Sequence, residues 1–506
     1  MDFTPIARPF FLHRIKAHAR YARHGEDIQR RQLAWMVMRS RNTLWGQQHN
    51  YTSISSYEDY ARLVPISPYA RLRPYVERMI SGQRDILWPG HTPHYAQSSG
   101  TSDGKSKYIP ITSDSFNRCH YRGSSDVVSN YLHLYPDSRI FSGKAFILGG
   151  SFANELNLPK GVYVGDLSAN LINKINPIVN LLRVPSKDIA LMHNWDEKLP
   201  ALVEASLKQN ITNISGVPSW FLTVLKKVIS KAGATTIHDV WPNLEVFFHG
   251  GISFTPYREQ YDQITDRHKM RYLETYNASE GFFAVQNAID DPAMLLLLDV
   301  GVFYEFIPIT EVDNDCPTTL PIWEIEPGKV YALVITSCNG LWRYPIGDTV
   351  KVESINPVKI TITGRTKHYI NAFGEELMVY NADTAIANTC RQLKCSVANY
   401  TAAPVFAGNE TRGRHEWLIE FSKQPDDTNE FMSLLDKNLQ NENSDYQAKR
   451  DKDIFLDPPS LIIAQKGLFD SWLASTGKLG GQRKVPRLSN DRRFIDPMLS
   501  INNLIR

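Results

Sequence analysis

The chain predicts an α/β fold in two parts of unequal size, and three observations carry that prediction. Its 506 residues exceed what one hydrophobic core normally organises. From Pro89-Gly90 to about residue 365, short β-rich runs alternate with helical ones, the signature of α/β layers rather than of a bundle or a sandwich. After Gly364-Arg365 the style changes to a small α+β unit, so we expect a large N-terminal domain over 1–364 and a smaller C-terminal domain over 365–506.

The first part opens with helical periodicity from Pro9 to Arg41 and again from Tyr57 to Met79, joined by polar sequence. Arg14, Lys16, Arg20, Arg23, Arg30 and Arg31 recur on the first of these. We read it as a solvated helix whose apolar face (Ile15, Tyr21, Leu33, Met36) docks on the core, with neither a nucleic-acid nor a membrane partner. Phe141 to Gly149 reads as a buried strand, Pro218 to Ile229 as an amphipathic helix, and Leu244 to Phe248, Arg271 to Thr275 and Met294 to Leu298 as further strands. Glu305-Phe306-Ile307 and Val330 to Ile335 read as antiparallel strands flanking a loop, and Ile360 to Thr363 alternates as the last strand of the domain. In the second part we expect a helix over Asn381 to Leu393, strands near Ser396 to Phe406 and Glu416 to Phe421, and a helix near Asn429 to Leu439.

Composition narrows the function classes. With 42% hydrophobic and 22% charged residues and a net charge of +3, the chain is ordinary globular material with no argument for a polyanionic partner. Its five cysteines are odd in number and scattered, with no Cys-x-x-Cys pair, which fits reduced thiols in the cytoplasm. Met1 to Lys16 has no apolar run of the signal-peptide kind, and Ala293 to Leu298 ends at Asp299, far too short to span a bilayer.

The most informative stretch is Ser98-Ser99-Gly100-Thr101-Ser102-Asp103-Gly104-Lys105-Ser106-Lys107. Small hydroxyl residues and glycines let N–H and O–H groups converge on phosphate oxygens, while Lys105 and Lys107 offset their charge. The spacing is one residue short of a Walker loop, and Tyr108 to Ile111 looks extended rather than helical, which disfavours a P-loop NTPase. Tyr276-Asn277-Ala278-Ser279-Glu280-Gly281 follows a strand, offering an aromatic ring to a base and a hard oxygen donor, Glu280, to magnesium. His249-Gly250-Gly251-Ile252 also follows a strand and would let backbone approach a flat ring, while Leu341 to Asp348 places an acid in a turn where it could accept ribose hydroxyls.

Taken together these segments make the chain resemble the Gretchen Hagen three, or auxin-responsive promoter, family of acyl-acid amido synthetases, within the adenylate-forming superfamily. Asp85 to Gly90, Ser215 to Trp220, Phe303 to Pro308 and Gly481 to Arg487 extend the likeness over essentially the whole chain. The chain is compact and its N-terminal helix differs in style from plant hormone-conjugating enzymes, so it looks closer to the bacterial branch. The resemblance implies a large adenylate-forming domain with mixed sheets and a smaller mobile C-terminal domain. It implies that Ser98, Ser99 and Thr101 hold the phosphates of ATP, that Tyr276, Ser279 and Glu280 serve nucleotide and Mg2+, and that Gly250 and Gly251 lie against adenine. Asp348 would take the ribose, and Lys484 would be the lysine the C-terminal domain brings to the adenylate. Phe152, Trp220, Phe221 and Val224 flank motifs that line the acid cavity in relatives, although core positions at helical spacing explain them equally well. The implied substrates are a small carboxylic acid and an amine, an amino acid for choice. An acyl-CoA ligase sharing the adenylate and a non-catalytic nucleotide-binding relative are the alternatives. Plant members carry a lysine near Phe373-Gly374-Glu375; this chain has none there, and its Glu375 and Glu376 read as a solvated pair.

Overall fold

The computed structural model describes the chain except residues 1, 99–106, 153, 155, 252–253, 313, 367–368, 371–374, 376, 407–412, 444–445, 448–449, 451–455, 477–484, 490 and 505–506. Two compact units result: 1–252 with 260–346 and 350–361, and 362–506 with 253–259 and 347–349. Among the described residues no helix is long and apolar enough to cross a membrane.

In the first unit, helices Thr4–His18 and Tyr21–Ser40 stand where one periodic run suggested a single segment; the break falls at Ala19-Arg20. Leu33 and Met36 are buried as expected, but Arg14 is not solvated. Its guanidinium reaches Asp126 at 2.6 Å and Asp299 at 2.8 Å, and Arg122 reaches Asp299 at 2.8 Å. Burial alone would raise the Asp299 carboxyl, yet these two guanidiniums hold it well below the usual carboxylate range. A basic helix position is buried here because two carboxylates, distant in sequence, meet it.

The strands are, in chain order, β1 (His94–Ser98), β2 (Lys107–Ile111), β3 (Lys144–Ile147), β4 (Tyr163–Gly165), β5 (Arg183–Val184), β6 (Ile211–Gly216), β7 (Val246–Gly250) and β8 (Arg271–Ala278). They continue as β9 (Gly281–Gln286), β10 (Met294–Leu296), β11 (Val302–Pro308), β12 (Leu320–Pro321), β13 (Val330–Ser337), β14 (Leu341–Ile355) and β15 (Val358–Arg365). β2-β1-β4 form a small sheet, and the rest form one large sheet ordered β12-β11-β13-β14-β15-β10-β9-β8-β7-β6-β3-β5. Its β5-β3-β6-β7-β8 part is parallel and the rest of the described pairings are antiparallel. Val246, Phe247, Phe248 and His249 are all buried, the continuous pattern of a strand covered on both faces. The expected antiparallel pair of Glu305 to Ile307 with Val330 to Ile335 is β11 against β13, with Glu305 opposite Val334.

Helix Pro218–Ala232 covers the face of β7 that carries Phe247. Pro218 sits at its first turn, where no donor is lost, and Gly233 ends it at φ 65. Phe221 meets Phe247 at 5.4 Å and Phe146 at 5.3 Å between ring centroids.

The second unit packs helices Val379–Leu393 and Thr428–Glu442 on β18 (Ser396–Phe406) and β19 (Gly413–Lys423), once the short pair β16 (Tyr369–Ile370) and β17 (Leu377–Met378) is counted. A last strand, β20 (Ser460–Ile463), runs parallel to β19. Its core gathers Ile386, Tyr400, Trp417, Phe431 and Leu435. Glu375 corrects an expectation: it is 0% exposed, not solvated, because His415 of β19 meets its Oε1 at 2.7 Å. Its neighbour Glu376 lies outside the described residues.

Candidate functional site

The carboxyl ends of the parallel strands share one edge. The register puts Ile147 opposite Ser215, Gly216 opposite His249, and Gly250 opposite Thr275, so the segments leaving β3, β6, β7 and β8 emerge together. In open α/β sheets ligands bind at this edge. β8 runs further than the sequence suggested, to Ala278, and pairs Ala278 with Gly281 of β9. Ser279 and Glu280 are therefore the tip of a tight hairpin, not a strand-to-loop exit.

That hairpin is pinned from three sides. Asn339 donates from Nδ2 to the Glu280 carbonyl at 3.1 Å. The Phe282 N–H donates to Cys119 Sγ at 3.2 Å, and burial pushes that thiol up to about 12, so it remains a protonated structural acceptor and not a nucleophile. Gly123 lets a helix lie against the hairpin: a Cβ there would fall 2.3 Å from Phe282 Cγ.

Glu280 itself is 6% exposed. The Tyr344 hydroxyl donates to its Oε1 at 3.4 Å, and Lys107 donates from Nζ to the same hydroxyl at 3.3 Å. Lys107 begins β2 and is paired with Ser98, the last residue of β1. The stretch read as a phosphate cradle thus connects two paired strand ends, and the lysine at its exit is linked through one phenol to the hairpin carboxylate. Lys107 also lies 5.8 Å from the Tyr344 ring centroid and 6.0 Å from that of Tyr69, an arrangement that keeps an ammonium in a partly apolar setting.

The other sequence-derived residues fall as follows. Ser98 ends β1; Ser99, Thr101 and Lys484 lie outside the described residues. Tyr276 is buried and packs on Phe283 at 5.0 Å, and Ser279 is buried at the hairpin tip. Gly250 is required by the sheet, since a Cβ there would fall 2.4 Å from the Thr275 carbonyl oxygen; Gly251, exposed, turns the chain at φ 81. Asp348 is not in a turn. It lies inside β14, just after Gly347 at φ 89, is 7% exposed, and belongs to the second compact unit. Phe221 and Val224 are fully buried in the sheet–helix core described above, whereas Phe152 and Trp220 are half-buried. Phe152 approaches Tyr163 of β4 at 6.2 Å.

Tyr344 and Asn339 were not singled out from the sequence. Tyr344 stood inside a quoted motif, but nothing local marks a phenol that must meet a lysine of a different sheet. Arg343 beside it sits at φ 43, rare for a non-glycine residue, with its guanidinium 2.9 Å from the buried Glu305 carboxylate. That pair anchors the strand that presents Tyr344.

A model described as the GH3 family N-terminal domain matches residues 14–270, the GH3 family central domain matches 295–365, and the GH3 family C-terminal domain matches 380–493. Indole-3-acetic acid-amido synthetase GH3.4 of Arabidopsis thaliana is 22% identical over 92% of this chain and 89% of its own length. A jasmonoyl-L-amino acid synthetase of Oryza sativa subsp. japonica, GH3.5, is 22% identical over 58% of this chain and 62% of its own. Among solved structures, the GH3.15 acyl acid amido synthetase in complex with 2,4-DB superposes with a TM-score of 0.78 at 16% identity, covering 96% of this chain and 95% of that one. A 2-hydroxyisobutyryl-CoA ligase carrying its acyl-adenylate superposes at 0.61 with 12% identity, covering 94% and 92%.

Proposed function

The chain belongs to the GH3 family, and from that premise we propose that it activates a small carboxylic acid with ATP and passes the acyl group to an amine, an amino acid for choice. The observation that carries this reading is the Lys107–Tyr344–Glu280 link, which ties the strand ends flanking the phosphate cradle to a buried carboxylate at the ligand edge of the sheet.

The chemistry explains the parts. One carboxylate oxygen of the acid attacks the α-phosphorus of ATP, the bond to the bridging oxygen breaks, and pyrophosphate leaves. Two anions meet in that step, so positive charge and donors must be in place beforehand. Lys107 supplies an ammonium beside the cradle, and Ser98, Ser99 and Thr101 supply hydroxyl and N–H donors. The amine then attacks the carbonyl carbon of the mixed anhydride, the carbon–oxygen bond to AMP breaks, and the nitrogen loses its proton. Asp348 accepts the ribose hydroxyls, and Lys484 supplies charge at the adenylate. Positioning and charge, not a covalent nucleophile, provide the rate.

Glu280 fits a magnesium ion that arrives with the nucleotide: one hard oxygen donor from the protein, with phosphates and water completing the shell. Among the described residues no cluster of three carboxylate, imidazole or thiol groups offers a separate protein-only cage. Bound there, the ion would neutralise phosphate charge; orienting that carboxylate falls to Tyr344 and the pinned hairpin. The free cysteines suit a cytoplasmic enzyme.

The test incubates the protein with ATP, Mg2+, a panel of aryl and aliphatic acids, and either mixed amino acids or CoA, with products read by mass spectrometry. An amide with AMP is expected. A thioester formed without amide overturns the amine assignment.

A further inference from the structure

The segment leaving β3 at the ligand edge is gripped from two sides by groups whose sequence positions say nothing of it. On one side stands Lys198, 4% exposed, on helix Trp195–Leu207. Its ammonium donates to the Gly149 carbonyl at 2.6 Å, to the Met192 carbonyl at 3.1 Å and toward the Gly150 carbonyl at 3.5 Å. On the other side, Asp166 Oδ2 accepts the Ser151 N–H at 2.8 Å, Ser168 Oγ accepts the Gly150 N–H at 2.8 Å, and the Asp166 N–H donates to the Ser151 carbonyl at 2.9 Å. Neither glycine has room for a side chain. A Cβ on Gly149 would fall 2.6 Å from Ile172 Cδ1, and one on Gly150 would fall 2.0 Å from Asp166 Oδ2.

The gripped segment connects the two sheets. Gly165, which precedes Asp166, approaches so closely that a Cβ would lie 2.5 Å from the Ser151 carbonyl oxygen. Gly165 is in register with Ala96 of β1, two residues before Ser98 and the start of the phosphate cradle. Phe152, the next residue along, presents a half-buried ring beside β4. A buried ammonium is a costly way to satisfy carbonyls that a neutral donor could serve, so its presence calls for a reason.

We propose that Lys198 is a positioning residue: its ammonium clamps Gly149–Phe152 against the turn after β4 and thereby sets the wall that receives the carboxylic acid beside the phosphate cradle. The proposal rests on the acid-activating reading given above. Burial lowers the Lys198 ammonium to about 8, with the Asp166 carboxylate countering part of the effect. Asp166 is the charged group that faces it. On its own helix Asp196 and Glu197 are exposed; on the neighbouring helices Asp188, Lys226, Lys227 and Lys174 are exposed, and Lys187 donates instead to the Asn173 carbonyl. Above pH 8 the clamp loses one of its three N–H donors. Global stability does not fall for that reason, because the folded state sheds this proton before a free lysine with its ordinary value of 10.5 does.

The experiment uses full-length Lys198→Met and Lys198→Arg with two readouts, amide hydrogen exchange by mass spectrometry and acid-dependent ATP–pyrophosphate exchange. In Lys198→Met the peptide spanning 148–152 should exchange at least about tenfold faster while the one spanning 245–250 keeps its protection. With the first panel acid that supports exchange, the acid KM should rise about tenfold while the ATP KM stays within about twofold. Wild type should show a rise in acid KM between pH 7 and 9, and in Lys198→Arg, which keeps a cation at every accessible pH, that rise should vanish. Should Lys198→Met not fold, the wild type at pH 7 and 9 still reports whether 148–152 loosens relative to 245–250. Unchanged protection with an unchanged acid KM overturns the proposal, as does a loss of protection shared equally by 245–250. If wild type supports no acid-dependent exchange, the acid-activating reading fails, while the amide exchange still judges the clamp.

Discussion

The two ends of the parallel strands use charge in opposite ways. At the amino end a cavity of about 440 Å³ is lined by Asp137, Arg139, Glu245 and Arg271, and these groups spend themselves on one another. Arg271 donates to Asp137 at 3.0 Å and to the Tyr131 hydroxyl at 3.1 Å, while Glu245 accepts from Tyr131 at 3.0 Å, from the Arg139 N–H at 3.1 Å and from the Ser138 hydroxyl. At the carboxyl end the charged groups reach backbone and a phenol instead. Glu280 accepts from a phenol at 3.4 Å, Asp166 accepts from a backbone N–H at 2.8 Å, and Lys198 donates to a carbonyl at 2.6 Å. The difference lies in what the charges meet. Charges that meet one another hold a sheet together, whereas charges that meet backbone groups and a phenol at the ligand edge shape the segments that surround a substrate.

Substitutions at the two ends sharpen or break this contrast. The largest effect belongs to Glu280→Gln, which should lower acid-dependent pyrophosphate exchange by about 10²–10³-fold with little change in thermal stability, the size seen when a preorganised charge is removed. Asp348→Ala should weaken ATP binding about 10–100-fold, since charge-assisted hydrogen bonds contribute about 1.5–3 kcal/mol, checked by calorimetric titration. Tyr344→Phe should cost about tenfold in exchange rate, one hydrogen bond of about 1 kcal/mol and slightly more, and leave the melting temperature near that of wild type. At the amino end stability and not rate is affected: Glu245→Gln should lower stability by about 1–3 kcal/mol, measured by denaturant unfolding, with the exchange rate within about twofold. An exchange defect in Glu245→Gln as large as that in Glu280→Gln would dissolve the distinction.

The smallest effect concerns pH. Burial pushes the Glu274 carboxyl of β8 up to about 7 from its ordinary 4.5. Between those values the folded state binds the extra proton, so this group's contribution to stability is present at pH 4.5 and lost as the pH rises through 7. Glu274→Gln should therefore flatten the pH dependence of the melting temperature over that interval relative to wild type. Parallel curves for the two proteins would remove the effect.

What could be read beforehand follows the range of the interactions. Ser396 to Phe406 was legible as a strand and Pro218 onward as a helix because alternation, a proline at the first turn and a glycine at the end are local signals. The hydroxyl-rich stretch before Lys107 and the Ser279-Glu280 segment were legible for the same reason, being composition concentrated in a few residues. Long-range partnerships were not. Arg14 looked like one more surface cation until Asp126 and Asp299 met it, and Glu375 like half of a solvated pair until His415 did. Asp348 looked like a turn residue because Pro345 and Gly347 precede it, yet pairing within the large sheet carries the strand straight through both. β4 is three residues long and was invisible without β1 beside it. Lys198 sits in an unremarkable helix, and the carbonyls it serves are distant in sequence.

The central claim, that the carboxyl edge joins a carboxylate to the α-phosphorus of ATP, is tested most directly by isotope position. With an active acid labelled by ¹⁸O in its carboxylate, one labelled oxygen should appear in AMP and none in inorganic phosphate or pyrophosphate. Label recovered in inorganic phosphate, with ADP as the nucleotide product, would contradict the account.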